Sequence, residues 1–198
     1  ILPRCDGILR ADTFSAERNA MTTDIRTKVR RSDREVTDEA WIRAFLHGAA
    51  VGVLATSSAD QPFINTNLFV YDEDRSALYI HTARTGRTRD MVAANPQVCF
   101  SVMQMGRLLP AAVALEFSVE YAGVTVFGRA SIIDDPDEET AALQALLTKY
   151  AAHLRPDADY RPPVAEELKR TTVIRIDIES LSGKRKVVAA DFPGAFNY

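Results

Sequence analysis

The sequence predicts a mainly β fold of the α+β class: a small, six-stranded antiparallel barrel with peripheral helices. Three observations predict it. Strand-like runs follow one another across short polar turns, which leave no room for the helical crossovers of a doubly wound sheet. A long alternating run over 116–133, interrupted by glycines, has the length and the bend points of a barrel strand. The chain has 198 residues, 46% of them apolar and 26% charged, which suits one domain with a substantial core.

A helix is expected over 37–47. Thr37 can cap it, Asp38 and Glu39 complement the dipole at its start, Val36 and Trp41 are spaced as a hydrophobic staple, and Gly48 ends it. Residues 50–56 read as a buried strand, 57–61 as a polar turn, 62–71 as a second strand, 72–75 as a turn and 76–82 as a third strand, together an antiparallel meander. A short helix then ends at Asn95-Pro96. Residues 97–104 form a fourth strand, and 105–115 an apolar connection containing Gly106 and Pro110. In the fifth strand, 116–133, Phe117, Val119 and Tyr121 share a face opposite Glu116, Ser118 and Glu120, and Gly123 and Gly128 permit a bulge. Asp135-Pro136 opens a helix with proline at its first position, running to about His153. Residues 155–163 are a proline-bearing loop. The sixth strand, 172–179, puts Ile174, Ile176 and Ile178 on one face. Residues 1–20 lack periodicity; with Met21 the first methionine, they are either an extension upstream of a start there or a genuine N-terminal segment. The run 24–35, rich in Arg and Lys, reads as a solvated arm. The expected division is an N-terminal extension (1–35), the barrel domain (36–190) and a C-terminal tail (191–198).

Composition excludes several functions. With 24 basic and 27 acidic side chains the net charge is −3, so no nucleic-acid partner is expected. No apolar run approaches the ~20 residues of a membrane span. Cys5 lies in a polar tail and Cys99 in an apolar run, so no disulfide is expected and a reducing, cytoplasmic location fits. His47, His81 and His153 are too scattered for a metal site. No nucleophile elbow, HExxH or GxGxxG pattern is present.

The strongest local signal is His81–Arg89, between a strand end and a helix start. Arg84, Arg87 and Arg89 alternate there with Thr82, Thr85, Gly86 and Thr88. Backbone N–H groups at a helix start favour an anion, glycine permits the unusual backbone such a loop needs, and arginine offers bidentate donors to phosphate. The competing reading is a solvated basic turn. His81, ending its strand, is either a hydrogen-bonded wall residue or an imidazole beside a ligand.

From Val51 onward the sequence resembles the flavin-binding split-barrel superfamily related to pyridoxamine 5′-phosphate oxidase, and within it the nitroimidazole-resistance (Nim-type) proteins. The likeness is carried in collinear order by Gly52-Val53-Leu54-Ala55-Thr56, Gln61-Pro62-Phe63, Leu78-Tyr79-Ile80-His81-Thr82 with Gly86-Arg87, Asn95-Pro96-Gln97-Val98-Cys99-Phe100, Val124–Ala130, Leu168–Thr171 and Ser182-Gly183-Lys184. It implies a six-stranded split barrel, a homodimer and FMN at the dimer interface. Thr82 and Arg87 fall where the superfamily holds the FMN phosphate, Thr88 where the oxidases place a lysine, and Asn65, Thr66 and Asn67 on the strand facing the flavin ring. His81 matches the Nim-type histidine beside the cofactor, and Lys184 the lysine approaching it. The oxidases' C-terminal tryptophan-and-arginine pattern is absent, since the only tryptophan is Trp41, which argues against pyridoxamine-phosphate oxidation. The implied activity is an FMN-dependent reductase passing electrons from NAD(P)H to a small nitro- or quinone-type acceptor, with His81 as its catalytic side chain. The alternatives are a non-catalytic flavin- or haem-binding barrel, with His81 as haem ligand, and a deazaflavin-dependent reductase.

Overall fold

Eight antiparallel strands form one sheet in the computed structural model, which describes residues 25–198. They are β1 (Glu35–Val36), β2 (Gly52–Ser58), β3 (Gln61–Asn67), β4 (Val70–Asp72), β5 (Ala77–Ala83), β6 (Gln97–Leu109), β7 (Ser118–Ile132) and β8 (Thr171–Lys186). The order across the sheet is β3-β2-β6-β7-β8-β5-β4, with β1 added beside β8. Setting aside the two-residue β1 and the three-residue β4, six strands remain, as the sequence predicts.

The expected meander is corrected in one respect. The single strand over 62–71 is two strands: β3 pairs with β2, and β4 pairs with β5. Leu68 and Phe69 cross between them and join the two ends of the sheet order, which closes the barrel. The chain leaves the ladder there because Phe69 turns wholly inward, its ring edge-on to Phe100 at 5.0 Å. Its backbone is satisfied by a side chain instead: the Tyr150 hydroxyl accepts from Phe69 N–H and lies within hydrogen-bond reach of the carbonyl oxygens of Phe69 and Ala50.

Period-two alternation fills the interior with Leu54, Leu78, Ile80, Phe100, Val102, Val124, Val126, Ile174 and Ile176. Helix α1 (Glu39–Gly48) adds Ile42 and Leu46, and α2 (Arg87–Ala94) adds Val92. Helix α3 (Pro136–Tyr150) lies on the outer face, where Ala142 and Leu143 cover Tyr79 and Val173. A four-residue α4 (Ala165–Leu168) leads into β8. The cap of α1 is Asp38 rather than Thr37, its carboxylate accepting the Trp41 N–H. Asp135 caps α3 as expected, with Pro136 first, but the helix stops at Tyr150.

Two strands outrun their sequence boundaries. β6 continues to Leu109, so much of the expected 105–115 connection is strand, and β8 continues to Lys186 because β7 and β1 both offer it a ladder. The bulge anticipated near Gly128 is present: Phe127 faces Ser180 and Gly128 faces Ile178, leaving Glu179 over. A Cβ on Gly128 would lie 2.3 Å from the Asp177 carbonyl oxygen. The stretch read as a solvated arm docks on the sheet where it is described. Arg26 pairs with Glu179 at 3.2 Å and sits over the Phe127 ring, and β1 pairs with Gly183 and Lys184. Residues 1–20 lie outside the described residues. Near the C-terminus, Leu108 and Phe196 exchange backbone hydrogen bonds of 2.8 and 3.1 Å. Among the described residues, no helix is long and apolar enough to cross a membrane.

Candidate functional site

β3 ends the sheet order, so every second residue directs its backbone N–H and C=O to an unpaired edge. Asn65 and Asn67 lie opposite Leu54 and Gly52 and share the inner face; Thr66, opposite Val53, is exposed on the outer one. The inner pair is fixed by side-chain bonds. Asn65 Nδ2 donates to Thr88 Oγ1 at 3.1 Å and to Asn67 Oδ1 at 3.2 Å, and Asn67 Nδ2 donates to the Asn65 carbonyl at 2.8 Å. Thr88 is in the first turn of α2, so these bonds lock that helix start against the strand.

The backbone at the helix start is specialised. Gly86 caps α2 at φ 139°, a conformation that L side chains rarely adopt, and no side chain occupies the cap. The first-turn N–H groups of α2 lack intrahelical partners and face outward with the positive dipole end. Arg87 is exposed and lies over the Phe63 ring, 5.1 Å from its centroid, which aims its guanidinium along β3. Arg89 is half-buried, with a buried Nε lacking any partner among the described residues.

The structure therefore gathers Asn65, Asn67, Gly86, Arg87, Thr88 and Arg89 at one corner. The other expected residues divide. Thr82 is half-buried on the inner face of β5, opposite Thr172, whose Oγ1 is buried without a partner among the described residues. His81 points the other way, sharing the outer face with Tyr79; it is exposed and has no hydrogen-bond partner among the described residues. Arg84 donates from Nε to the Lys169 carbonyl at 3.3 Å, at the end of α4 and apart from the β3 edge. Lys184 is remote within one chain: His81 faces Val173 on β8, whereas Lys184, eleven residues later, faces Gly123 and Glu35. Arg84 is thus drawn away to the Lys169 carbonyl, while Gly86, Arg87, Thr88 and Arg89 stay with Asn65 at the corner around α2.

Two residues in contact with cations, Phe63 beside Arg87 and Tyr121 beside the remote Lys184, were not singled out by sequence. Phe63, the platform under Arg87, carried a signal, since it lies two residues before Asn65 on one strand face. Tyr121 gave none. Its hydroxyl accepts from Arg34 at 3.3 Å and the Lys184 ammonium sits 5.8 Å from its ring centroid. Desolvation alone would push this phenol up, but the two cations outweigh it and lower its pKa. Cys99 is a free, half-buried thiol, pushed up by burial.

Comparison with known proteins follows from this geometry. No curated relative matches the chain. Among solved structures, the flavocytochrome Anf3 from Azotobacter vinelandii superposes with a TM-score of 0.72 at 21% identity, over 88% of this chain and 86% of that one. The FAD- and haem-binding protein from Mycobacterium smegmatis gives 0.69 at 20%, over 80% and 76%. A structure assigned to 5-nitroimidazole antibiotic resistance, from Bacteroides thetaiotaomicron, gives 0.63 at 17%, over 76% and 86%. At these identities the likeness establishes a shared fold, the split barrel. The family model for pyridoxamine 5′-phosphate oxidase matches residues 38–185, from the cap of α1 through all but the last residue of β8, and the chain accordingly belongs to the pyridoxamine 5′-phosphate oxidase family.

Proposed function

We propose that the protein is an FMN-dependent oxidoreductase, a Nim-like reductase moving electrons from NAD(P)H to a small nitro- or quinone-type acceptor, and that it works as a homodimer. One observation carries the reading: the convergence of Gly86, Arg87 and Thr88 at the start of α2 with Asn65 and the open edge of β3. That donor set fits a flavin mononucleotide. The free N–H groups of α2 and the Arg87 guanidinium suit a phosphate, and the β3 edge suits the amide-like rim of a flavin ring. FMN, when bound, supplies the hydride and electron chemistry. The chain's own residues anchor and orient it: Phe63 holds Arg87 in place, and Asn65 and Thr88 keep strand and helix in register. The dimer is supported by the outer face of β2, β3 and β6, where Val51, Ile64, Met103 and Met105 stand 49%, 66%, 75% and 48% exposed.

Arg87→Ala tests the phosphate assignment. Losing one charge-assisted contact costs about 1.5–3 kcal/mol, or roughly 10- to 150-fold in FMN affinity, measured by fluorescence titration. Riboflavin, which lacks the phosphate, should bind wild type and variant alike; equal losses for both would sink the assignment.

A second reading, a flavin- and haem-binding barrel without reductase activity, is favoured by the exposed, unbonded His81 imidazole and by the cofactors named for two of the neighbours. The absorption spectrum of the purified protein separates the readings. Flavin bands alone support the first, a Soret band lost in His81→Asn supports the second, and a single deazaflavin-type band replaces FMN by that cofactor.

A further inference from the structure

A cleft of about 730 Å³ lies away from α2, between residues 31–38 and the end of β8. Its cations are Arg31, Arg34, Arg185 and Lys186; its carboxylates are Asp33, Glu35 and Asp38. Asp33 and Arg31 neutralise each other inside the cleft, and Asp38 keeps its charge while capping α1. Asp33 takes two short bonds from Arg31, 2.6 and 2.7 Å, and only skirts Arg34 at 3.8 Å; Arg31 holds it down at a pKa of about 2. Asp38 accepts the Trp41 N–H as the cap of α1.

The cations of β8 have no such partners. Among the described residues, no carboxylate lies within ion-pair distance of Lys184, Arg185 or Lys186. Lys186 donates to the Ser118 hydroxyl, Lys184 sits over Tyr121, and Arg185 lies 5.3 Å from the Trp41 ring centroid. Arg34 reaches the Tyr121 hydroxyl, which is why that phenol is lowered. Once Arg31 and Asp33 are paired, the cleft keeps Arg34, Arg185 and Lys186 against Glu35 and Asp38, a local excess of positive charge on a chain of net charge −3.

We propose that this cleft is a second anion site, distinct from the corner at α2, and that it takes a pyrophosphate group. The cleft is roomier than a single phosphate needs. Its guanidinium and ammonium groups come from two elements, so they can hold two linked phosphates at once. It does not read a base by stacking on Trp41, because Phe45 stacks on that ring at 5.0 Å and Arg185 covers it as well. The pyrophosphate is therefore either free or part of a nucleotide whose base stays outside.

The test is calorimetric titration of the intact protein, with saturating FMN present to fill the corner at α2, using inorganic pyrophosphate and ADP at about 0.15 M salt. Saturable binding of pyrophosphate is expected, weakened about tenfold or more in Arg34→Gln/Lys186→Gln and unchanged in Arg87→Ala. Because Arg87 serves the other corner, failure of the flavin reading leaves this result standing. ADP binding as tightly as pyrophosphate assigns the site to a nucleotide; pyrophosphate alone assigns it to the free anion. Binding should also shift the emission of Trp41, the only tryptophan, and this shift should vanish in Arg185→Gln, an exposed position where folding is not at stake. No saturable binding at millimolar pyrophosphate, or an equal loss in Arg87→Ala, overturns the proposal.

Discussion

Thr88 shows how much of the site depends on one hydroxyl. It is buried, it accepts from Asn65 at 3.1 Å, and it holds the start of α2 to the edge strand. Thr88→Val keeps the shape and removes the acceptor, so one Asn65 N–H loses its partner. The expected cost is about 1–3 kcal/mol, read as a lower denaturation midpoint with an unchanged m-value. A larger fall in FMN affinity than in stability would mean that the hydroxyl also meets the ligand directly. The placing of Gly86, Arg87 and Thr88 at a helix start was legible because the signal is local: three consecutive residues after a strand end. Where His81 points was legible only in part. Alternation places it opposite Ile80, but only the packing of α3 over Tyr79 shows that its face is the outer one.

At the scale of elements, the far end of β6 and β7 is tied to the chain's last segment by one ion pair. Arg107 holds Glu120 through both carboxylate oxygens at 2.8 Å and donates to the carbonyls of Val188, Ala189 and Ala190, while Val188 N–H returns to Glu120 at 2.9 Å. Arg107 and the Val188 N–H lower the Glu120 pKa from 4.5 to about 2. Below pH 4.5 the unfolded chain binds a proton at this position that the folded chain refuses. The stabilisation is therefore complete above that pH and drains away as the pH falls toward 2. Glu120→Gln should lower stability at pH 7 and flatten the loss between pH 4.5 and 2, measured by thermal melts across that range. An acid profile that keeps the wild-type slope would count against this pair as its source. Sequence pattern gave Glu120 only as part of a polar strand face. Its partner Arg107 sits in what reads as an apolar connection, and the two meet only because β6 continues past Gln104. Strand ends are poorly legible for this reason: β6 and β8 run on as long as a neighbour offers a ladder, and that neighbour is distant in sequence. The helix starts were clearer, since Asp135 and Pro136 state theirs within two residues.

At the scale of the molecule, closure of the barrel is the property to test. The Tyr150 hydroxyl ties Phe69 at 3.0 Å and Ala50 at 2.8 Å, so the crossing from β3 to β4 and the entry to β2 hang on one atom. Tyr150→Phe leaves the buried Phe69 N–H unpaired and should cost about 2 kcal/mol in chemical denaturation, with no change in far-ultraviolet dichroism. Assembly is tested by sedimentation: the proposed dimer sediments at twice the 21.9 kDa chain mass, and Met103→Glu, on the exposed outer face, should return it to one. A lone 21.9 kDa species at micromolar concentration would leave that apolar face without a partner. The place of β8 has a further consequence, for synthesis. It is made after the other seven strands of the sheet, yet it lies between β7 and β5 and also carries β1. A nascent chain that has emerged only as far as α4 has every other strand but cannot bring the β7 and β5 edges together. At a translation rate of roughly 5–20 residues per second, those edges stay open for about a second or longer while the strand is made. A stall or truncation before residue 186 would therefore release a chain whose unpaired edges are offered to chaperones or to other copies of itself.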